Sequence, residues 1–239
     1  MLLRNVKKHV EDQNWFAVAL DFFIVVAGVF IGIQLGNWND AHQTQLAFSE
    51  AQNNLTTESQ SNLEMIDSFL EDVDTRLTAA RGALTELREC DTGDAAAVQI
   101  LQGVNAIRGT PTLHLRQTAL SAITGNDAFL SLLDKEERER LKELQRSLSQ
   151  SQATLNWLEE RPFEDHIEDA PYLDYSELIP LPSVDGIEIR NLTLSAPVAS
   201  LCKDPVFLKP FYIWERTATF QSLRARQVQG FLSENIATQ

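Results

Sequence analysis

The sequence predicts a mainly α protein: one N-terminal transmembrane helix, then a helical bundle or coiled-coil domain with a short irregular or β segment. Three observations carry that expectation. Residues 15–36 read WFAVALDFFIVVAGVFIGIQLG, with Asp21 as their one charge. Further on, Leu63, Ile66, Leu70, Val73, Leu77, Ala80, Leu84 and Leu87 recur at alternating steps of three and four, which is a heptad seam. A second seam, Leu141, Leu144, Leu148, Leu155 and Leu158, follows an Asp134/Glu137 pair spaced as a capping box.

The first element is the anchor. At 1.5 Å per residue, residues 15–36 span roughly 30 Å, the thickness of the hydrocarbon core. Trp15 and Trp38 mark its two ends, where amphipathic rings prefer the membrane interface. Arg4, Lys7 and Lys8 precede it, and no Lys or Arg follows until Arg76. Positive charge on the N-terminal side alone predicts a cytoplasmic tail over 1–14 and an external domain over 37–239. A cleaved signal peptide is the competing reading. The long apolar run, with no A-x-A-like site just after it, argues against cleavage.

Gly28, Gly32 and Gly36 form a doubled small-xxx-small pattern, which lets a second helix come close. On a helix, Asp21 and Val25 share a face with Gly28 and Gly32. A carboxylate inside a membrane usually faces protein or water. Two readings stand at this point. Asp21, Val25, Gly28, Gly32 and Gly36 form a helix–helix contact, or Asp21 simply reaches back to the cytoplasmic interface.

Beyond Trp38 a polar stretch contains nothing that breaks a helix, so one helix is expected over 38–89, stopping before Asp91-Thr92-Gly93. A short helix is expected from Ala95 to Leu101, with Gly103 and Gly109-Thr110-Pro111 as loops. Two short helices follow, over 116–124 and 127–133, split by Gly125-Asn126. The capping box opens a long helix over 134–161, with Ser151 filling the gap in its leucine seam.

The stretch 163–203, holding Pro171, Pro180, Pro182 and Pro197, reads as irregular. Ile187, Ile189, Leu192 and Leu194, after Asp185-Gly186, suggest one short strand or hairpin there. Asp204-Pro205 opens the last helix, 204–235, with Phe207, Phe211, Trp214, Ala218, Val228 and Leu232 on one stripe. Pro210 is awkward, and is expected to kink the first turns or delay the start. The seams by themselves leave open whether the bundle closes within one chain or between chains.

Composition narrows the chemistry. The formal charge is −14, from 34 acidic and 20 basic side chains, so no basic surface suits a nucleic acid. His9, His42, His114 and His166 form no H-E-x-x-H, and there is no C-x-x-C, G-x-S-x-G, phosphate loop or dinucleotide fingerprint. The acidic cluster from Phe163 to Asp169 reads as a solvated loop before it reads as a cation site. Neither an enzyme nor a cofactor or metal site is expected. Cys90 and Cys202 both fall on the external side, where an oxidising compartment favours a disulfide over two separate buried thiols.

Asp21, the glycine-bearing run to Gln34 and the exit Asn37-Trp38-Asn39-Asp40 resemble the anchor of an uncharacterised bacterial single-pass membrane family. Residues 118–144, with Gly125 ahead of Phe129-Leu130-Ser131-Leu132-Leu133, are similar to it more loosely. The resemblance implies a bacterial inner-membrane protein with a periplasmic domain, and it implies no activity. The function expected is an interaction or scaffold protein that oligomerises through anchor and coil. Its partners would be the membrane and either a second copy or another membrane protein. Two alternatives are a periplasmic ligand-sensing module and an accessory subunit of a proton-coupled complex using Asp21.

Overall fold

The computed structural model describes residues 15–160, 166–180 and 186–237. The tail with Arg4, Lys7 and Lys8 lies outside the described residues, as do Pro162, Pro182, and Glu164 and Asp165 of the acidic cluster. So does the side chain of Trp15.

The chain is mainly α, with seven α-helices among the described residues. Helix α1, Trp15–Glu89, is one uninterrupted element of 75 residues. It includes a run long and apolar enough to cross a membrane, none of it buried within the chain. Its heptad seam closes inside the same chain. Ile66, Leu70, Val73, Leu77, Ala80, Leu84 and Leu87 are all buried, and Leu63 packs against them. That answers what the spacing left open.

Helix α2, Asp94–Ile107, runs two turns past the expected Leu101 and takes in Gly103. Gly103 is no loop signal here. A Cβ at that position would overlap the Cβ of Ala83 and crowd the Ala79 carbonyl oxygen and Phe211. Its missing side chain is what lets α2 lie close on α1.

Helices α3, Thr118–Thr124, and α4, Asp127–Leu132, sit where Gly125-Asn126 predicts a break. The Asn126 side chain accepts from the N–H groups of Ala128 and Phe129 and so opens α4. Helix α5, Lys135–Glu160, begins with the expected reciprocal cap. Asp134 Oδ1 accepts from Glu137 N at 2.8 Å, and Glu137 Oε2 accepts from Asp134 N at 3.1 Å. Its seam, Ser151 included, is buried.

The stretch expected to be irregular contains a bulged hairpin. Strand β1, Leu173–Tyr175, pairs antiparallel with β4, Leu192–Leu194, and β2, Ile179–Pro180, pairs with β3, Glu188–Ile189. So the apolar alternation at 187–194 is the returning arm only. Tyr175 faces Leu192 while Ile179 faces Ile189, so the outgoing arm carries one residue more. Gly186, at φ 77°, takes the left-handed conformation where the chain returns.

After a short turn of helix, α6, Val198–Leu201, the chain enters α7, Pro205–Ala237. Asp204 Oδ1 accepts from Val206 N at 2.9 Å, as its position predicts. Pro210 neither delays α7 nor interrupts it. It falls early in the helix, and the carbonyl its ring leaves unbonded belongs to Val206, an exposed residue that water can reach.

Side-chain bridges give the layout. Arg88 to Tyr212, Arg81 to Glu215, Arg226 to Asp74 and Gln229 to Asp67 show α7 running antiparallel along α1. Helix α5 packs along α7 and against α3, and one contiguous core joins these helices with α1 and α2.

Candidate functional site

The Asp21 face belongs to a stretch of α1 with no tertiary packing. Nothing lies within 4 Å of where a Cβ would stand at Gly28, Gly32 or Gly36. Asp21 and Val25 are exposed, as is Trp38, whose ring stacks on His42 at 6.0 Å. Among the described residues, therefore, the chain brings nothing onto this face.

Because α1 is one helix, its wheel can be followed from the apolar run into the bundle. The buried positions Phe48, Leu55, Asn62, Ile66 and Val73 centre roughly 160° from the face of Asp21, Gly28 and Gly32 at 100° per residue. The bundle hangs on one side of α1 and the glycine face lies on nearly the opposite side. Between Gly36 and Phe48, the first buried position, α1 is bare for roughly 18 Å. Leu46, exposed, continues the glycine face along that stretch.

At the far end of the bundle, Cys90 and Cys202 come to disulfide-bonding distance, with Cα atoms 5.3 Å apart. Cys90 closes α1 in the left-handed conformation at φ 61°, its N–H donating to Glu86 O at 2.8 Å. Glycine commonly takes this role. Nearby, the Tyr172 hydroxyl donates to Asp204. That hydrogen bond, the negative charge beside it and burial all raise its pKa above 10.0. The contact ties the hairpin to the start of α7.

Three polar residues that the sequence reading passed over organise the middle. Asn62, fully buried, donates through Nδ2 to Arg116 O and accepts through Oδ1 from Arg116 N, both at 2.8 Å. On the other side of the same segment, Gln152 donates to Leu113 O at 2.9 Å and accepts from Leu115 N at 2.7 Å. Glu58 accepts from the N–H groups of Ala119 and Leu120, capping α3 from another helix. The extended residues 113–117 thus run between α1 and α5 with side-chain amides standing in for sheet partners. Asn62 and Ser59 fall at seam spacing in a polar stretch, and that was the available signal.

A cavity of about 440 Å³ lies among α1, α3 and the first turns of α5, lined by Phe48, Leu55, Ile123, Leu133 and Arg140. Among the described residues no group of three or more His, Cys, Asp or Glu could hold a metal ion. Helix α7, read from sequence as having one apolar stripe, has two. Phe207, Phe211, Trp214, Ala218, Val228 and Leu232 are buried, while Val206, Phe220, Leu223 and Phe231 point outward. Comparison of the chain with known protein families, with curated proteins and with solved structures finds no match.

Proposed function

We propose that this chain is a bacterial inner-membrane scaffold. A single helix over 15–36 holds it, with the tail in the cytoplasm and the helical domain in the periplasm. Through the face of Asp21, Val25, Gly28, Gly32 and Gly36 it pairs with a second copy and presents its domain to partners. The reading gives it no catalytic role.

One observation carries the pairing: the bundle and the glycine face lie on nearly opposite sides of one continuous helix. Two anchors can therefore meet along that face without their bundles colliding, and can stay in contact through the bare turns as far as Leu46. Higher up, Glu50, Glu64 and Glu71 occupy the same side, and like charges would part the helices there. The carboxylate supports the reading too, since a second helix offers it a polar partner that lipid does not. Orientation rests on Arg4, Lys7 and Lys8 and on the residues without Lys or Arg that follow the span. The heptad seam is buried within the chain, so pairing falls to the anchor and not to a coil.

The experiment is oxidative cross-linking of single added cysteines on the bare turns, in native membranes. Leu46→Cys and Gln43→Cys, on the glycine side, should form dimers, and Ala41→Cys, on the bundle side, should not. Gly28→Leu or Gly32→Leu should abolish the dimers. Equal cross-linking at all three positions, unchanged by either leucine, would overturn the pairing. A reporter fused after Gln239 that works only in the cytoplasm would overturn the orientation.

A further inference from the structure

The outer face of α7 carries large apolar side chains that stand exposed among the described residues. Val206 is 62% exposed, Phe220 52% and Leu223 53%. With half-buried Ile213 they recur at helical spacing over roughly 26 Å, the pattern by which one helix receives another. Exposed patches of that extent mark interaction sites in folded proteins.

The charge on this face is opposite to that of the molecule. The whole chain carries −14. Helix α7 has Lys209, Arg216, Arg224 and Arg226 against Glu215 and Glu234. Glu215 turns inward to Arg81 and Arg226 pairs with Asp74, both across to α1. Arg216 and Arg224 remain beside Phe220 and Leu223 on the outer face. From Pro205 to Arg224, then, that face is apolar with basic edges.

We propose that this face docks an acidic amphipathic helix of a partner protein, a proposal that rests on reading the chain as a membrane-anchored scaffold. Two other occupants fit worse. A bilayer surface takes helices that lie in its plane, whereas α7 stands along the axis of the anchor helix. Two copies with parallel anchors would be related by an axis along the membrane normal, and pairing their α7 faces would set Arg216 against Arg216. Nor does the outward side of α1 supply the complement. It is acidic, but its exposed large apolar residues stop at Leu46.

The test places a photo-crosslinker in the full chain in its native membrane, as Phe220→p-benzoylphenylalanine and Leu223→p-benzoylphenylalanine. The same substitution at Thr75, exposed on α1, serves as the control. Both α7 positions should yield one protein adduct well above the control. The cross-linked peptide, mapped by mass spectrometry, should be net negative with apolar residues every three or four positions. Arg216→Glu combined with Arg224→Glu should lower the yield about tenfold. Cross-linking to a second copy, to phospholipid or to a basic segment would overturn the proposal, as would a yield no higher than at Thr75. Gly28→Leu is run in parallel. If docking is independent of anchor pairing, that variant loses the cysteine dimers and keeps the α7 adduct, so each reading fails by its own signal.

Discussion

Gly103 and Gly82 are both glycines inside packed helices, yet the neighbours waiting for an added methyl differ. At Gly103 a Cβ would overlap the Cβ of Ala83 and press on backbone oxygen, neither of which can swing aside. At Gly82 it would meet the amide end of Gln99, a flexible side chain. Alanine improves helix propensity at either site by about 1 kcal/mol. Gly103→Ala should nonetheless lose about 1–3 kcal/mol net, because overpacking outweighs that gain, while Gly82→Ala should be neutral or slightly stabilising. Urea unfolding of the two variants checks this. Equal stability would mean that α2 and α1 separate more easily than their packing implies. Asn62 poses the opposite problem, since its removal strands both backbone groups of Arg116 in the interior. Asn62→Ala should cost about 2–4 kcal/mol and loosen residues 113–117. Amide exchange over that segment would show it, and unchanged protection would sink the clamp.

Among the elements, α1 shows how local stability follows tertiary contact within one helix. Its turns from Ile66 to Leu87 are locked into the core, whereas Asn39, Asp40, His42 and Gln43 touch no other element. Helix propensity alone holds such bare turns weakly. In detergent micelles, amides over 39–46 should therefore exchange orders of magnitude faster than those over 66–87. Equal protection, in the parent chain and in Gly28→Leu alike, would contradict the bare stretch. The hairpin illustrates a different point. Its arms are short and mostly exposed, and alternation marked only the returning arm. The outgoing arm begins after Pro171 and contains Pro180, so its composition signals a loop while pairing makes it a strand.

For the molecule as a whole, the link between Cys90 and Cys202 joins the end of α1 to the entry of α7, across a sequence separation of 112. Closing a loop of that size stabilises by about 4–5 kcal/mol in the chain-entropy model, which for a domain this large is about 10–20 °C in Tm. Reductant, or Cys90→Ser paired with Cys202→Ser, should lower the melting temperature by that order. Non-reduced peptide mapping should find the two cysteines in one fragment. Free thiols at both positions in membranes prepared under alkylating conditions would refute the bond.

The sequence by itself determined the helices. Residues 15–36, the two leucine seams, the Asp134/Glu137 cap and the Asp204 cap each act over a few turns, so spacing and composition suffice to read them. It also picked out Asp21, Val25, Gly28, Gly32 and Gly36 as one face, because a face is a property of one helix. Tertiary structure decided what those surfaces meet. Whether the heptad seam closed on its own chain, whether Gly103 broke a helix or let two approach, and which residues paired with 187–194 all depend on neighbours distant in sequence. The outward stripe of α7 has the same helical spacing as its buried one, and only packing separates the two. An apolar periodicity states that a face must be covered. Which of two such faces the fold covers, and which it leaves exposed, follows from the relative placement of α1 and α5.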